Sequence, residues 1–223
     1  MKHRIGKILT LGLLITALLS CSNNPTKNEV SQENTQPTAV TATNVTNRTE
    51  KIKFKTEFGA DLFSLKQQKN GAKLVDGNEQ ELAKMRENSP GKLKIKNPAE
   101  KVLGYVIREK SQWKLENPEQ SQALYTLKRQ NDEHYTLEDA ANKAIYQIQT
   151  RNNRWEINTP DKKLVYQVRI RDGKTSLRDS SATTVFSTRS EISPIAFACF
   201  GLDVLTREQQ AALAYAVNLT GGQ

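Results

Sequence analysis

Lys and Arg residues recur at every second position in three short segments of the chain. In one of them, Lys92, Lys94 and Lys96 alternate with Leu93 and Ile95. Because successive side chains of a β-strand point to opposite faces, this spacing predicts a strand with an apolar inner face and a cationic outer face. The same alternation occurs at Lys51, Lys53 and Lys55 around Ile52 and Phe54, and at Arg169 and Arg171 around Ile170.

These cationic faces have two interpretations, and the sequence leaves both open. A strand whose outer face meets water needs charge for solubility and for protection against edge pairing. Alternatively, the faces bind anions close to a membrane, where each Lys or Arg contributes about 1 kcal/mol of attraction toward anionic lipid. On the second interpretation, the candidate anion-binding residues are Lys53, Lys55, Lys92, Lys94, Lys96, Arg169 and Arg171.

The residue types that most often carry out catalysis are sparse and isolated. His134 has no further ligands at the spacing that a metal site requires, and Cys199 lies in an apolar run typical of a protein core. Trp113 and Trp155 open predicted strands and are interpreted as core or rim residues. No nucleophile elbow, P-loop or dinucleotide-binding fingerprint occurs. We therefore expect no catalytic centre, no metal and no cofactor.

Composition limits the class of protein. The chain has 223 residues, with 33 Lys and Arg against 24 Asp and Glu, a formal net charge of +9, and 36% hydrophobic residues. Two Cys residues exclude a disulfide scaffold. No apolar run after the N-terminus approaches the roughly 20 residues of a membrane-spanning helix, which excludes a polytopic membrane protein.

The N-terminal segment has the pattern of a secretion signal. Three cations, Lys2, Arg4 and Lys7, precede an apolar run over residues 8–19. The segment ends in Leu18-Leu19-Ser20-Cys21, which resembles the bacterial lipobox. The resemblance implies removal of residues 1–20 as a lipoprotein signal peptide and acylation of Cys21, which would anchor the protein in a membrane of the cell envelope. An ordinary signal peptide with a chance Cys is the alternative. Ser22, rather than Asp, favours the outer membrane over the inner membrane.

A polar segment separates this signal from the rest of the chain. Residues 21–50 are rich in Asn, Thr, Ser, Gln and Pro, and such a composition cannot bury enough apolar surface to offset the entropy of ordering. We expect a lipidated, disordered linker with a root-mean-square reach of about 30 Å. The folded domain is then residues 51–223, which carry a net charge of +7.

A repeat of about twenty residues runs through that domain. Turn-forming residues stand at positions 56, 76, 97, 117, 139, 159 and 179, and alternating apolar residues lie between them. Each unit is typical of a β-hairpin. A solenoid is one arrangement of such units, but hairpins with one polar face close more naturally, because closure removes exposed edges. We expect a mainly β protein, an antiparallel β-barrel of about twelve strands.

The C-terminus departs from the repeat. Residues 193–202 are apolar almost all round, which requires burial. A capping box at Thr206 and Gln209 predicts a second helix over residues 207–218. We expect the barrel to enclose one of these helices. The sequence leaves open which one, but it favours the first, which lacks a polar face, with the second packed at the mouth. This pattern over residues 51–220 resembles the tubby-like superfamily, which includes LURP-one-related proteins and phospholipid scramblases. The resemblance implies about twelve strands around a buried C-terminal helix.

These patterns favour a membrane-anchored envelope lipoprotein that acts as a non-catalytic binding or scaffolding module. The expected partners are the membrane, through the N-terminal lipid, and an anionic lipid or envelope polyanion. Nucleic acid is not expected, because the lipobox directs the protein out of the cytoplasm. The alternative is a lipid-handling or hydrolytic enzyme whose site is assembled from scattered residues. The sequence makes no prediction of the oligomeric state.

Overall fold

The structure is a computed structural model, and it describes residues 50–222. Within them, fourteen antiparallel strands form a closed barrel in which each strand pairs with its sequence neighbours and β1 pairs with β14. The strands are β1 (Lys51–Lys55), β2 (Asp61–Gln68), β3 (Gly71–Asp76), β4 (Glu81–Ser89), β5 (Lys92–Lys96), β6 (Val102–Glu109), β7 (Gln112–Glu116), β8 (Ala123–Asn131), β9 (His134–Asp139), β10 (Ala144–Arg151), β11 (Arg154–Asn158), β12 (Leu164–Arg171), β13 (Lys174–Asp179) and β14 (Thr184–Thr188). The predicted antiparallel barrel is confirmed, whereas the predicted number of about twelve strands is too low.

Seven hairpin turns share one geometry, and they lie at the seven positions that the repeat predicts. In each turn the first residue is Thr, Asp or Asn, and its backbone N–H donates to a carbonyl four or five residues later. Its side-chain oxygen accepts backbone N–H groups of the same turn, as Asp76 does from Asn78 and Gln80. The fourth residue has a positive φ in all seven turns, for example 67° at Glu79. The end of the barrel that carries these turns is called the turn end below.

The even-numbered strands share a second repeated feature, a β-bulge at their second residue. Each bulge leaves one aliphatic residue out of the pairing register: Leu62, Leu82, Leu103, Leu124, Ile145, Val165 and Val185. A bulge increases local twist and re-aims a side chain. Five of these residues are half-buried, whereas Leu62 and Val185, on the two neighbours of β1, are 40% and 41% exposed.

Two helices fill the barrel. Helix α1 (Pro194–Ala198) continues into a 3-10 turn (Cys199–Gly201), and α2 (Arg207–Asn218) follows. Helix α1 contacts β11–β13, and α2 contacts β3–β7. The burial favoured for the first helix is confirmed. The second helix is enclosed as well and does not take the position at the mouth that the sequence allowed, because every residue from Gln210 to Val217 is buried. Four alanines on α2 keep it thin, and the wall beside it carries the small buried residues Ala72, Ala83 and Gly104.

The barrel closes at a seam between β1 and β14. These two strands share a single pair in register, Lys55 opposite Ser187, whereas the other neighbouring strands share four to six pairs each. Beneath the seam, five buried phenylalanines pack together with ring centroids 4.4–6.2 Å apart: Phe54, Phe63, Phe186, Phe197 and Phe200. The seam is therefore held mainly by apolar packing rather than by the ladder of hydrogen bonds.

Candidate anion-binding surface

Closure of the barrel concentrates the positive charge on one wall. Residues 51–101 and 164–191 together contain seventeen Lys and Arg against ten Asp and Glu, a net charge of +7. Residues 102–163 contain ten against nine. Because β14 lies next to β1, the two basic segments form one continuous surface, made of β12–β14 and β1–β5. This surface is called the seam wall below.

The β1 lysines lie on the outer face, as the alternation predicts. Ile52 and Phe54 are 1% and 0% exposed. The Nζ atoms of Lys53 and Lys55 lie 3.5 and 3.1 Å from the carboxylate oxygens of Asp61. The hydrogen bond from Lys55 is the largest of the effects that hold the pKa of Asp61 below its ordinary value. Two cations thus share one anion, which leaves an excess of positive charge.

Lys51, Lys53 and Lys55 line a depression of about 410 Å³ along the seam, called the seam notch below. Lys174 and Arg189 add two further cations, and four hydroxyl-bearing residues, Thr56, Ser187, Thr188 and Ser190, line it as well. A second depression of about 330 Å³ continues over β12–β14 and shares the side chains of Glu57, Lys174 and Arg189 with the notch. Ammonium, guanidinium and hydroxyl groups in one concave surface are donors suited to phosphate or carboxylate oxygens.

Several cations of the second depression have no acidic partner among the described residues. They are Arg169, Lys174, Arg178 and Arg189. Arg189 donates from Nη1 to the Asp172 carbonyl at 3.1 Å, and the buried Nε of Arg178 has no hydrogen-bond acceptor within residues 50–222. Within residues 50–222, Arg169, Lys174 and Arg189 form no ion pair that an added anion would have to replace.

The predicted cations of β12 lie on this surface, but the burial that its inward position predicts for Ile170 is wrong. Arg169 and Arg171 line the second depression, whereas Ile170 is 52% exposed. Val168, two residues earlier, is 1% exposed. The strand therefore extends past the helices that fill the barrel, so its last inward-facing residue meets solvent rather than the core.

The predicted cations of β5 form a separate cluster on the same wall. Lys92 and Lys94 lie over the Tyr105 ring, with Nζ atoms 4.8 and 5.7 Å from its centroid. Lys96 pairs with Glu100 at 2.9 Å. Three strands separate β5 from β1. The structure thus brings Lys53 and Lys55 together with Arg169 and Arg171, and it places Lys92, Lys94 and Lys96 elsewhere.

A row of lysines links the two clusters. Lys51, Lys66, Lys73, Lys84 and Lys96 stand opposite one another on β1–β5. Glutamates from the neighbouring hairpin turns bridge them, with Glu79 between Lys51 and Lys66 and Glu100 between Lys84 and Lys96. These ion pairs lower the pKa of both glutamates to about 2, most strongly through Lys51 and Lys84 respectively.

Sequence reasoning missed Lys174, Arg178 and Arg189 as site residues, together with the hydroxyls of residues 187–190. These cations do not belong to the segments in which Lys or Arg alternates with apolar residues, and that alternation was the pattern used to predict the other site residues. The signal that pointed to them was the closure of the repeat, since a closed barrel of consecutive hairpins must place its last strand beside its first.

The remaining candidates for chemistry are structural or isolated. Cys199 is fully buried, its thiol donates to the Ile195 carbonyl at 3.4 Å, and burial raises its pKa. Trp113 is a core residue and Trp155 is half-buried. His134 begins β9, and residues 50–222 hold no cluster of three His, Cys, Asp or Glu side chains that could bind a metal.

The predictions for the N-terminus lie outside the described residues. They comprise the signal peptide over residues 1–20, the acylation of Cys21 and the linker up to residue 49. Within residues 50–222, no helix has the length and the apolar character needed to cross a bilayer.

No protein-family model and no curated protein matches this chain. An X-ray structure of a protein from Arabidopsis thaliana is similar over 63% of this chain and 79% of that chain, with 15% sequence identity and a TM-score of 0.38.

Proposed function

We propose that the protein is a non-catalytic binding module of the cell envelope whose seam wall binds clustered phosphate or carboxylate groups. One observation carries this proposal: the net charge of +7 on residues 51–101 and 164–191, beside an opposite wall that is almost neutral. A requirement for solubility alone gives no reason for this asymmetry, because both walls meet water.

The seam notch is the centre of the proposed site. Lys53, Lys55, Lys174 and Arg189 converge there, and Asp61 is the acidic partner of only the first two. An anion with several charges can engage these cations together, and each engaged cation adds about 1 kcal/mol when the anion belongs to a lipid surface. Exposed charges are screened within about 8 Å at physiological ionic strength, so binding should weaken as salt rises.

Membrane anchoring is the second part of the proposal. The lipobox places the acyl chains on Cys21, and the segment that follows joins the domain at Glu50, next to Lys51 of the seam notch. If residues 22–50 form a coil, as their composition predicts, their reach of about 30 Å would keep the notch close to the anchoring membrane. Labelling of cells with a palmitate analogue tests the anchor: the native chain should incorporate label, and Cys21→Ser should not. Equal labelling of the two chains would disprove acylation at Cys21.

The binding proposal is tested with residues 22–223, which lack the acylation site and keep the compact domain. One arm measures co-sedimentation with phosphatidylcholine vesicles that contain or lack phosphatidylglycerol. A second arm measures binding to soluble polyphosphate. The two arms separate a lipid headgroup from a free polyanion as the source of the anionic groups, and both are repeated at rising salt.

Matched variants locate the site. Replacement of Lys53, Lys55 and Arg189 by Gln removes three cations of the seam notch and should weaken binding by up to about a hundredfold. Replacement of Lys114, Lys128 and Arg129 by Gln removes three charges from the opposite wall and should leave binding almost unchanged. A third variant, with Gln at Lys92, Lys94 and Lys96, tests the separate β5 cluster. Equal losses in the first two variants, or no binding by the native chain, would refute the proposal.

A further inference from the structure

Exposed apolar side chains are concentrated on the wall that carries the positive charge. Of the six large apolar residues that are exposed within residues 50–222, three lie at the turn end of the seam wall: Phe58, Leu62 and Val185. Ile170 lies on the inner face near the opposite end of β12, and Val204 and Leu219 lie outside the strands. Phe58 is 97% exposed. It occupies the turn between β1 and β2, whose neighbouring residues Thr56, Glu57 and Gly59 line the seam notch.

The turn holds Phe58 in a defined position. The Thr56 N–H donates to the Ala60 carbonyl at 2.9 Å, and the Gly59 N–H donates to the Thr56 carbonyl at 3.1 Å. The Ala60 N–H donates to Oγ1 of Thr56 at 3.1 Å. The ring therefore projects into solvent from a hydrogen-bonded turn.

The internal repeat shows that the fold does not require an aromatic residue there. The other six turns have the same geometry, and at the equivalent position they carry small or polar residues: Asn78, Ala99, Glu119, Ala141, Asp161 and Ser181. The bulge residues of the seam depart from their equivalents in the same direction, since Leu62 and Val185 are exposed where the other five are half-buried. The excess apolar surface is thus local to the seam.

We propose that the seam wall docks on an anionic lipid bilayer, with Phe58 inserted at the boundary between headgroups and acyl chains and with the notch cations against the headgroups. This inference rests on the proposed function and names the source of its anionic groups. A soluble polyanion offers no apolar phase, so it gains nothing from an exposed phenylalanine. A lipid surface offers both anionic headgroups and an apolar phase. Basic surfaces with protruding aromatic or aliphatic side chains are typical of interfacial binding.

Charge complementarity favours an anionic bilayer, rather than a second copy of the chain, as the binding partner of the seam wall. Two seam walls placed face to face would bring together two surfaces of net charge +7. An anionic bilayer removes Phe58 from water and attracts Lys53, Lys55 and Arg189 at the same time. Glu57, which stands beside Phe58 and lines both depressions, is one acidic group that opposes this contact, and Asp61 and Asp172 are two others on the same wall.

The test compares Phe58→Ser with the native chain on two ligands, vesicles containing phosphatidylglycerol and soluble polyphosphate. The variant should bind vesicles about tenfold more weakly, because burial of a phenylalanine side chain is lost, and it should bind polyphosphate as the native chain does. Leu219→Ser is the matched control: Leu219 is 47% exposed and belongs to the C-terminal segment whose Gly222 carbonyl accepts from the Tyr135 hydroxyl of β9, on the opposite wall. Its replacement should change neither affinity.

A fluorescence readout makes insertion directly visible. In Phe58→Trp, the emission of the new indole should shift to shorter wavelength on vesicles that contain phosphatidylglycerol and should not shift with polyphosphate. Trp113 is buried and Trp155 is half-buried, so the native chain supplies the background signal.

The outcomes separate this inference from the function on which it rests. Equal vesicle affinity of Phe58→Ser and the native chain, or an unshifted Phe58→Trp emission, would overturn the insertion while leaving anion binding intact. A parallel loss of vesicle and polyphosphate binding in Phe58→Ser would also overturn it, because the residue would then act without regard to lipid. Failure of the native chain to bind either ligand would overturn the proposed function itself.

Discussion

Replacement of Phe197 by Ala should open the barrel at its seam before the rest of the domain unfolds. Phe197 is fully buried on α1, and its ring centroid lies 5.9 Å from that of Phe54 on β1 and 5.6 Å from that of Phe186 on β14. Through Phe197, helix α1 therefore packs on both strands of the seam. Because β1 and β14 share only the pair of Lys55 and Ser187, the packing of the five phenylalanines is the main contact between them.

The expected magnitude follows from the truncation of a buried aromatic ring. Phe→Ala substitutions in protein cores cost about 3–5 kcal/mol, and ring pairs add about 0.5–1.5 kcal/mol each beyond their buried area. A domain of this size has a free energy of unfolding of about 5–15 kcal/mol, so the loss is a large share of the total. We expect a lower urea midpoint and selective opening of the seam, because local stability follows the packing that remains.

Hydrogen exchange measured by mass spectrometry distinguishes seam opening from general destabilisation. Leu213→Ala is the matched control, since Leu213 is fully buried on α2, which contacts β3–β7, and its truncation costs about 2–5 kcal/mol. Peptides from β1 and β14 should exchange faster in Phe197→Ala than in Leu213→Ala when the two are compared at equal distance from their urea midpoints. The same exchange pattern in both variants would refute the claim that packing on α1 holds the seam.

Three further predictions concern the repeated turns, the charged surface and a glycine that follows a bulge. Ala182→Gly should raise the free energy of unfolding by about 0.5–1 kcal/mol in a urea titration. Ala182 has a φ of 64°, and a side chain in this left-handed region costs about 1–2 kcal/mol, which is more than the entropy that glycine loses on folding. A lower urea midpoint would contradict this. Glu79 and Glu100 have pKa values of about 2 in the folded protein, below the ordinary pKa of a glutamate. Their ion pairs therefore stabilise the fold fully above that ordinary pKa, and this stabilisation is lost as the pH falls toward 2. The urea midpoint should therefore decline over that range, and the double replacement by Gln should flatten the decline; an unchanged slope would contradict this. Gly104→Ala should cost about 1–3 kcal/mol or more, because the new Cβ would lie 2.5 Å from the Glu116 carbonyl oxygen at a φ of 149°; thermal unfolding like that of the native chain would contradict this.

Local features of the fold were predictable because they depend on residues close together in the chain. Asp76 and Asp139 mark turns because their side chains hydrogen-bond to the backbone two and four residues later. Leu93 and Ile95 face inward because β-strand side chains alternate. The number of strands was underestimated because the first unit, around Ile52 and Leu65, reads as a degenerate repeat, although it forms the β1–β2 hairpin.

The features that the sequence did not predict depend on volume and on the limits of the core. Helix α2 has polar residues at its start, and its sequence does not show that Ala211, Ala212 and Ala214 make it thin enough for the barrel to hold it beside α1. Ile170 alternates with Arg169 and Arg171 as an inward-facing residue would. Ile170 is exposed because the enclosed helices do not extend as far as the end of β12. The local alternation of residues does not show where those helices end.

By itself, the sequence of this protein determined the repeated hairpin, the turn chemistry, the alternation of apolar and cationic residues and the total charge. Only the tertiary structure decided which cations act together. Lys53 and Arg189 are 136 positions apart, and they meet because closure of the barrel places β14 beside β1. Closure depends on the combined twist of fourteen strands, on the repeated bulges and on two enclosed helices, so no single segment encodes it. The seam wall and its exposed Phe58 are consequences of that closure.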